Sequence, residues 1–201
     1  MSNAMVSSTP HSKSARPAWP RALGALLLAL AAFLGAAPAA AEGIVPVSAR
    51  VESTEDGYRL DAEFDIQFSS RLEEMANRGV TLYFVVDFEL SRPRWYWFDE
   101  KPVQLTQTYR ISYTPLLRQY RLSSGGAYQN FTRFDDVVRA LSRVRGWAVA
   151  EKGALRKEGG YQASIRMRLD TAQLPKPFQI NAVASSDWSL SSEWYRWTVT
   201  P

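Results

Sequence analysis

The sequence reads YRLDAEFDIQF over residues 58–68, and apolar and polar side chains alternate along it. Leu60 and Phe64 fall on one side of the stretch, whereas Asp61 and Glu63 fall on the other. A repeat of two residues is the repeat of a β-strand. The pattern therefore predicts a half-buried strand with one face in the core and the other in water.

Similar alternation recurs along the chain, and two segments have helical spacing instead. Residues 71–78 follow two serines that can cap a helix, and residues 133–145 carry apolar side chains three and four positions apart. Many strands without a regular strand-helix repeat predict a mainly β fold: an antiparallel β-sandwich, immunoglobulin-like in general shape, with two short helical insertions. The further predicted strands are residues 45–51, 80–90, 103–114, 117–123, 147–150, 161–169, 178–184 and 194–199.

The N-terminal part has the composition of an export signal. Residues 1–4 resemble a remnant of expression, and residues 5–41 combine basic side chains, an apolar run at 23–37 and small residues at the end, as in a signal peptide. As a helix, the apolar run would span about 22 Å, less than a membrane core of about 30 Å. We therefore expect cleavage, a periplasmic single domain at residues 42–201, and membrane attachment only if the leader is uncleaved.

Composition excludes several classes of function. The chain has 24 Lys and Arg against 20 Asp and Glu, but Lys13, Arg16 and Arg21 lie in the predicted leader, so the domain is nearly neutral and unlike a nucleic-acid-binding protein. There is no cysteine, and the one histidine, His11, lies in the leader. Histidine- and cysteine-based catalysis and the common zinc sites are therefore excluded. We predict a non-enzyme without metal or cofactor, since an enzyme would have to rely on carboxylates.

Acidic residues on two predicted strands allow two interpretations. If the strands are neighbours, the carboxylates could form a calcium or an acid-base site. The favoured interpretation is an exposed sheet face with cross-strand ion pairs, because Arg166 and Arg168 alternate in the matching way on a later strand. The acidic residues are Asp61, Glu63, Asp65, Asp87 and Glu89.

Two aromatic clusters are the candidate binding sites for a ligand or a partner. Residues 94–98 have no polar face when extended, and a second cluster follows a serine-rich stretch near the C-terminus. Buried rings would fill the core, whereas exposed rings could stack on a peptide or a sugar, and an arginine beside a tryptophan adds a cation–π contact. The candidate residues are Arg94, Trp95, Tyr96, Trp97, Trp188 and Trp194.

Three blocks of the sequence resemble the proteobacterial DUF4390 family. They are residues 80–100 (VTLYFVVDFELSRPRWYWFDE), 118–123 (RQYRLS) and 188–194 (WSLSSEW), and the resemblance spans most of residues 42–200. The family has no known function, so it assigns no site residue. The resemblance implies an exported domain of a Gram-negative bacterium. Because members are encoded beside nitrogen-regulation-type sensor kinases, it also implies an accessory role at the envelope.

We therefore expect an exported, non-enzymatic interaction domain that binds a protein partner at the envelope. The family resemblance makes a membrane sensor kinase the expected partner. The contact surface would be the 94–98 segment or an exposed sheet edge, where backbone groups can pair with an added strand. The alternative is a binding module that holds a small apolar ligand or a glycan through exposed tryptophans.

Overall fold

The computed structural model describes residues 43–92, 100–156, 160–179 and 190–200, except the side chains of residues 100 and 101. The predicted leader and the segment before it lie outside these ranges. The described elements are β1 (Gly43–Ser53), β2 (Gly57–Gln67), α1 (Ser70–Asn77), β3 (Leu82–Arg92), β4 (Glu100–Thr114), β5 (Gln119–Ser124), β6 (Ala127–Phe131), α2 (Phe134–Leu141), β7 (Arg143–Glu151), β8 (Tyr161–Leu169), a 3-10 turn (Thr171–Gln173) and β9 (Tyr195–Val199).

The strands form two sheets. Three strands pair in the order β1-β2-β7, and six pair in the order β6-β5-β4-β3-β8-β9. Every neighbouring pair is antiparallel. The sheets pack face to face, since the ring of Phe88 on β3 lies 6.2 Å from that of Trp147 on β7, centroid to centroid. The prediction of a mainly β, antiparallel sandwich is confirmed.

Strand β3 supplies the centre of the core. Its alternate side chains are fully buried and point toward the three-stranded sheet, as the sequence pattern predicts. Side chains on its other face point away from that sheet, and of these Asp87 and Glu89 are partly exposed whereas Val85 is buried. The polar residues of β3 are therefore held on a separate surface from its core residues. The fully buried side chains are Leu82, Phe84, Val86, Phe88 and Leu90.

Helix α1 begins and ends within one residue of the predicted 71–78. The hydroxyl of Ser69 caps it by accepting a hydrogen bond from the backbone N–H of Leu72 at 3.3 Å. Leu72 and Met75 are buried against the core. The Tyr120 hydroxyl on β5 donates to Oδ1 of Asn77 at the end of the helix. The helix is therefore joined to the six-stranded sheet by apolar packing and by this hydrogen bond.

The helix predicted at 133–145 is shorter than expected. It ends at Leu141, and strand β7 begins at Arg143. The spacing of Leu141 and Val144 suits a helix, but Val144 is a buried strand residue opposite Ala62 of β2. The Ser142 carbonyl accepts from the backbone N–H of Phe64 at 2.9 Å, so sheet pairing takes over where the helical pattern continues. Among the described residues, no helix is long and apolar enough to cross a membrane.

Two other sequence predictions differ from the structure near turns. The strands predicted from the sequence do not include β6, because Gly125 and Gly126 interrupt the alternation of apolar and polar side chains just before it. Both glycines have positive φ, 55° and 87°, as a tight hairpin turn requires, and this turn leads directly into β6. The strand predicted at 178–184 is wrong where it can be compared, since Phe178 lies in a helical turn. The rest of that segment lies outside the described residues.

Candidate functional site

The six-stranded sheet has a polar surface that faces away from the three-stranded sheet, and we call it the outer face. Strand pairing places its residues side by side, because paired residues share a face. Of the outward-pointing side chains that the structure describes, five are arginines and two, Asp87 and Glu89, are acids. The arginines are Arg110, Arg121, Arg166, Arg168 and Arg196.

An ion-pair network centred on Asp87 occupies the middle of the outer face. One carboxylate oxygen of Asp87 accepts from Nε of Arg166 at 2.9 Å and from Nε of Arg168 at 3.2 Å. The Thr106 hydroxyl donates to the other oxygen at 3.2 Å. The Asp87 side chain is only 15% exposed. The favoured interpretation of the sequence, in which Arg166 and Arg168 pair with an acid on a neighbouring strand, is confirmed.

This network changes the acidity of Asp87. Partial burial alone would raise its pKa, but the hydrogen bonds and charges of Arg166 and Arg168 outweigh burial, and the pKa is lowered from its ordinary 3.8. The carboxyl group is therefore ionised at neutral pH. Held by two guanidinium groups, it does not serve as a proton donor there.

Replacing Asp87 by Asn should destabilise the protein by about 1–2 kcal/mol near neutral pH, because charge-assisted hydrogen bonds to two arginines are lost and both arginines are partly exposed. A lowered folded-state pKa contributes stability above the unfolded-state pKa, and this contribution is lost as pH falls through the folded-state value. The difference in the free energy of unfolding between wild type and D87N should thus shrink below pH 3.8. Urea unfolding at several pH values measures this difference.

Asp65→Asn is the matched control for this measurement. Asp65 lies on β2, is exposed, and accepts a hydrogen bond from Gln67. Its removal should change stability little at either pH, since exposed contacts of this kind contribute about 0–1 kcal/mol. A D87N deficit that stays the same from neutral to acid pH would contradict the role assigned to the arginine pairs.

Trp194 lies beside the network, just before β9. The guanidinium carbon of Arg166 is 4.6 Å from the centre of its ring, which is a cation–π contact. Trp194 is half-buried and lines a pocket of about 280 Å³ with Asp87, Gln104 and Arg168. Trp194 is the one of the six candidate binding residues that lies in the described part of the chain. The other candidate site residues, Arg94, Trp95, Tyr96, Trp97 and Trp188, lie outside the described residues.

A second pocket, of about 290 Å³, lies on the outer face at the β5–β6 hairpin. Nε of Arg110 donates to the Ser123 hydroxyl at 3.3 Å, and Nε of Arg121 donates to Oδ1 of Asn130 at 3.1 Å. The Arg121 guanidinium also lies 4.5 Å from the ring centre of Tyr128. Neither arginine has a carboxylate partner in the described part of the chain. Their positive charges are therefore not balanced locally.

Sequence reasoning did not select Arg110, Arg121 or Arg196. Each lies in a strand whose polar residues resemble those of any solvent-exposed strand face. Only the pairing of β4 with β5, and of β8 with β9, shows that these arginines share one face. The usable signal is the excess of basic residues in the second half of the chain, where residues 101–201 contain 15 Lys and Arg against 7 Asp and Glu.

The alternative interpretation, in which the acidic residues of neighbouring strands converge on a calcium or acid-base site, is wrong. Asp61, Glu63 and Asp65 lie on β2 in the three-stranded sheet, whereas Asp87 and Glu89 lie on β3 in the other sheet. The β2 acids have their own partners, including Arg50, whose guanidinium donates to Asp61 at 2.9 Å, and Arg143, 3.6 Å from Glu63. Within the described ranges, no group of three or more acidic, histidine or cysteine side chains is placed to hold a metal ion.

Comparison with known protein families gives a match over most of the chain. The family model described as "Domain of unknown function (DUF4390)" matches residues 41–198. No curated protein and no solved structure matches the chain. The match extends over both sheets and contains every residue of the outer face described above. The resemblance seen in the sequence is therefore confirmed.

Proposed function

We propose that this chain, which belongs to the DUF4390 family of unknown function, is an exported, non-enzymatic interaction domain that binds a protein partner at the bacterial envelope. The partner carries an acidic segment that binds the outer face of the six-stranded sheet. The observation that supports this is the excess of five arginines over two acids on that face. The partner class implied by the family resemblance is a membrane sensor kinase.

The composition of the outer face suits protein recognition. Arginine and tryptophan are enriched at protein interfaces, where a planar guanidinium can bond to a carboxylate through two parallel hydrogen bonds. Arg110 and Arg121 are exposed and lack carboxylate partners among the described residues, so both can make such bonds. Complementary charge speeds association and fixes orientation. An acidic partner segment would therefore associate faster with this face and bind it more specifically.

The proposal of a non-enzymatic role has chemical support. Residues 42–201 contain neither histidine nor cysteine. Asp87, the carboxylate at the centre of the outer face, has a lowered pKa, whereas a carboxylic acid that donates protons at neutral pH needs a raised one. Its oxygens are also occupied by Arg166, Arg168 and Thr106. The polar centre of this face is thus suited to holding charged groups and not to donating protons.

The test is site-specific photocrosslinking in intact host cells. We would place p-benzoylphenylalanine at Thr108, which is exposed on the outer face opposite Val85, and at Asp65 on the three-stranded sheet as a control. We expect a crosslinked protein from position 108 and none from position 65, with an acidic segment at the crosslink identified by mass spectrometry. Equal crosslinking at both positions, or none at 108, would refute the proposed surface.

Reversing the charge of Arg110 and Arg121 should weaken capture of the partner by about tenfold or more, because each reversal replaces attraction with repulsion at close range. The matched control reverses Arg59 and Arg156. This double change alters the net charge equally, and both residues lie away from the outer face. Capture is measured from the yield of the Thr108 crosslink at low and at high salt. If the two double variants lose capture equally, net charge rather than the outer face is responsible.

The alternative function, a glycan or apolar-ligand module, has one supporting observation. Trp194 lines a pocket, as an aromatic platform for a sugar does. However, Arg166 lies against the ring and reduces the surface free for stacking. Trp194→Ala distinguishes the two functions: it should abolish binding of a stacked sugar, whereas it should leave most of the charge-dependent capture intact.

A further inference from the structure

A separate cleft opens between the two layers of the sandwich, at the side where β5 and β6 extend the larger sheet. Its volume is about 440 Å³, which is within the usual size range of small-molecule sites. Most of its lining lies on the inner surface of the six-stranded sheet, on α2 and on β7, and it shares Ser124, Ala127 and Tyr128 with the second pocket of the outer face. The residues that line it include Gln107, Tyr109, Leu122, Ala140, Arg143 and Arg145.

The interior of the cleft combines apolar surface with an unused hydrogen-bond acceptor. Leu122 and Ala140 supply apolar surface from β5 and α2. Nε2 of Gln107 donates to the Ser124 hydroxyl at 2.9 Å, while Oε1 of Gln107 is buried and has no partner. A buried acceptor without a partner costs about 1–3 kcal/mol. Because this oxygen is closed to solvent in the structure, a ligand with a donor group would recover that cost by turning the Gln107 side chain toward the cleft.

The rim of the cleft is positively charged. Arg143 and Arg145 are both exposed and line the opening. Arg143 lies 3.6 Å from Glu63, but Arg145 has no carboxylate partner in the part of the chain that the structure describes. Burial raises the pKa of Tyr109 to about 12, so its hydroxyl stays neutral near physiological pH. None of the described residues that line the cleft carries a negative charge, and the carboxylate of Glu63 is paired with Arg143.

We propose that this cleft binds a small amphipathic carboxylate. Its apolar body lies against Leu122 and Ala140, its carboxylate pairs with Arg145 at the rim, and a hydroxyl at its far end donates to Oε1 of Gln107. The cleft volume equals that of about fifteen water molecules at about 30 Å³ each, which limits the ligand to a chain of medium length. This site is independent of partner binding at the outer face.

The test measures ligand binding by isothermal titration calorimetry. The probes are 10-hydroxydecanoate, decanoate and decyltrimethylammonium. The protein is used whole or truncated before residue 42. We expect 10-hydroxydecanoate to bind most tightly, decanoate about tenfold more weakly because Gln107 stays unpaired, and the cation not at all. Absence of binding by both carboxylates, or equal binding of the cation, would overturn the proposal.

Two variants locate the site. Ala140→Trp fills the cleft from α2 and should abolish binding, and Arg145→Glu should weaken it by about tenfold or more. The control Arg156→Glu makes the same charge change outside the cleft and should bind normally. Circular dichroism melting checks that each variant is folded, and a folded A140W that still binds would refute the location. Reversal of Arg110, which lines the outer-face pocket and not the cleft, should leave these affinities unchanged, which separates this proposal from the outer-face proposal.

Discussion

Replacing Phe88 by Ala should lower the free energy of unfolding by about 3–5 kcal/mol, the usual cost of removing a fully buried ring. Phe88 is 0% exposed and lies on β3, the strand between β4 and β8. Its ring is 6.2 Å from Trp147 of the opposite sheet and 6.2 Å from Trp197 of β9. Its loss would therefore leave a cavity between the sheets. Urea unfolding, followed by tryptophan fluorescence, measures the change.

Two controls accompany this measurement. Phe88→Leu keeps most of the apolar volume and should cost clearly less than F88A. Leu117→Ala removes an apolar side chain that is 60% exposed in the β4–β5 turn and should change stability by less than about 0.5 kcal/mol. If F88A and L117A have similar stabilities, Phe88 is not a core contact between the two sheets.

Replacing Gly57 by Ala should destabilise the protein by about 2–4 kcal/mol, through backbone strain and steric overlap together. Gly57 begins β2 opposite Glu151 of β7, with a φ of 147° that side-chain-bearing residues rarely adopt. A Cβ there would lie 2.3 Å from the Ala150 carbonyl oxygen. Because that atom belongs to the backbone of the paired strand, only separation of β2 and β7 can relieve the overlap.

The control for Gly57 is Gly43→Ala on β1, where an added Cβ meets nothing within 4 Å. That change should be neutral or slightly stabilising, since alanine restricts the unfolded chain more than glycine. Thermal unfolding of both variants compares them directly. Equal midpoints would show that β7 accommodates the added carbon and that the pairing of β2 with β7 is looser than the structure indicates.

The sequence predicts strands well where burial alternates without interruption. In β2 and β3 every second side chain faces the core, so the repeat of two is unambiguous, and α1 has both a serine cap and a glycine after its end. The prediction fails at residues 143–145, where Val144 satisfies a helical and a strand pattern equally. Pairing with Ala62 of β2 decides between the two patterns, and that pairing is a long-range contact.

The candidate site was predictable only in part, for a related reason. Asp87, Arg166 and Arg168 have matching alternation, so their pairing could be proposed from the sequence. Arg110 and Arg121 carry no such signal, because their common position depends on the register between β4 and β5. The interlayer cleft depends on how far one sheet extends beyond the other, which no local pattern encodes.

The central ion-pair network also has a consequence for the order of events in folding. Asp87 and Arg166 are 79 residues apart in the chain, and Arg168 is 81 residues from Asp87. Contacts between such distant residues form slowly, because a long loop must close before the pairing of β3 with β8 repays its entropy. The ion-pair network at the centre of the outer face therefore assembles only once β8 has docked beside β3, whereas Arg110 and Arg121 are brought together by the local pairing of β4 with β5.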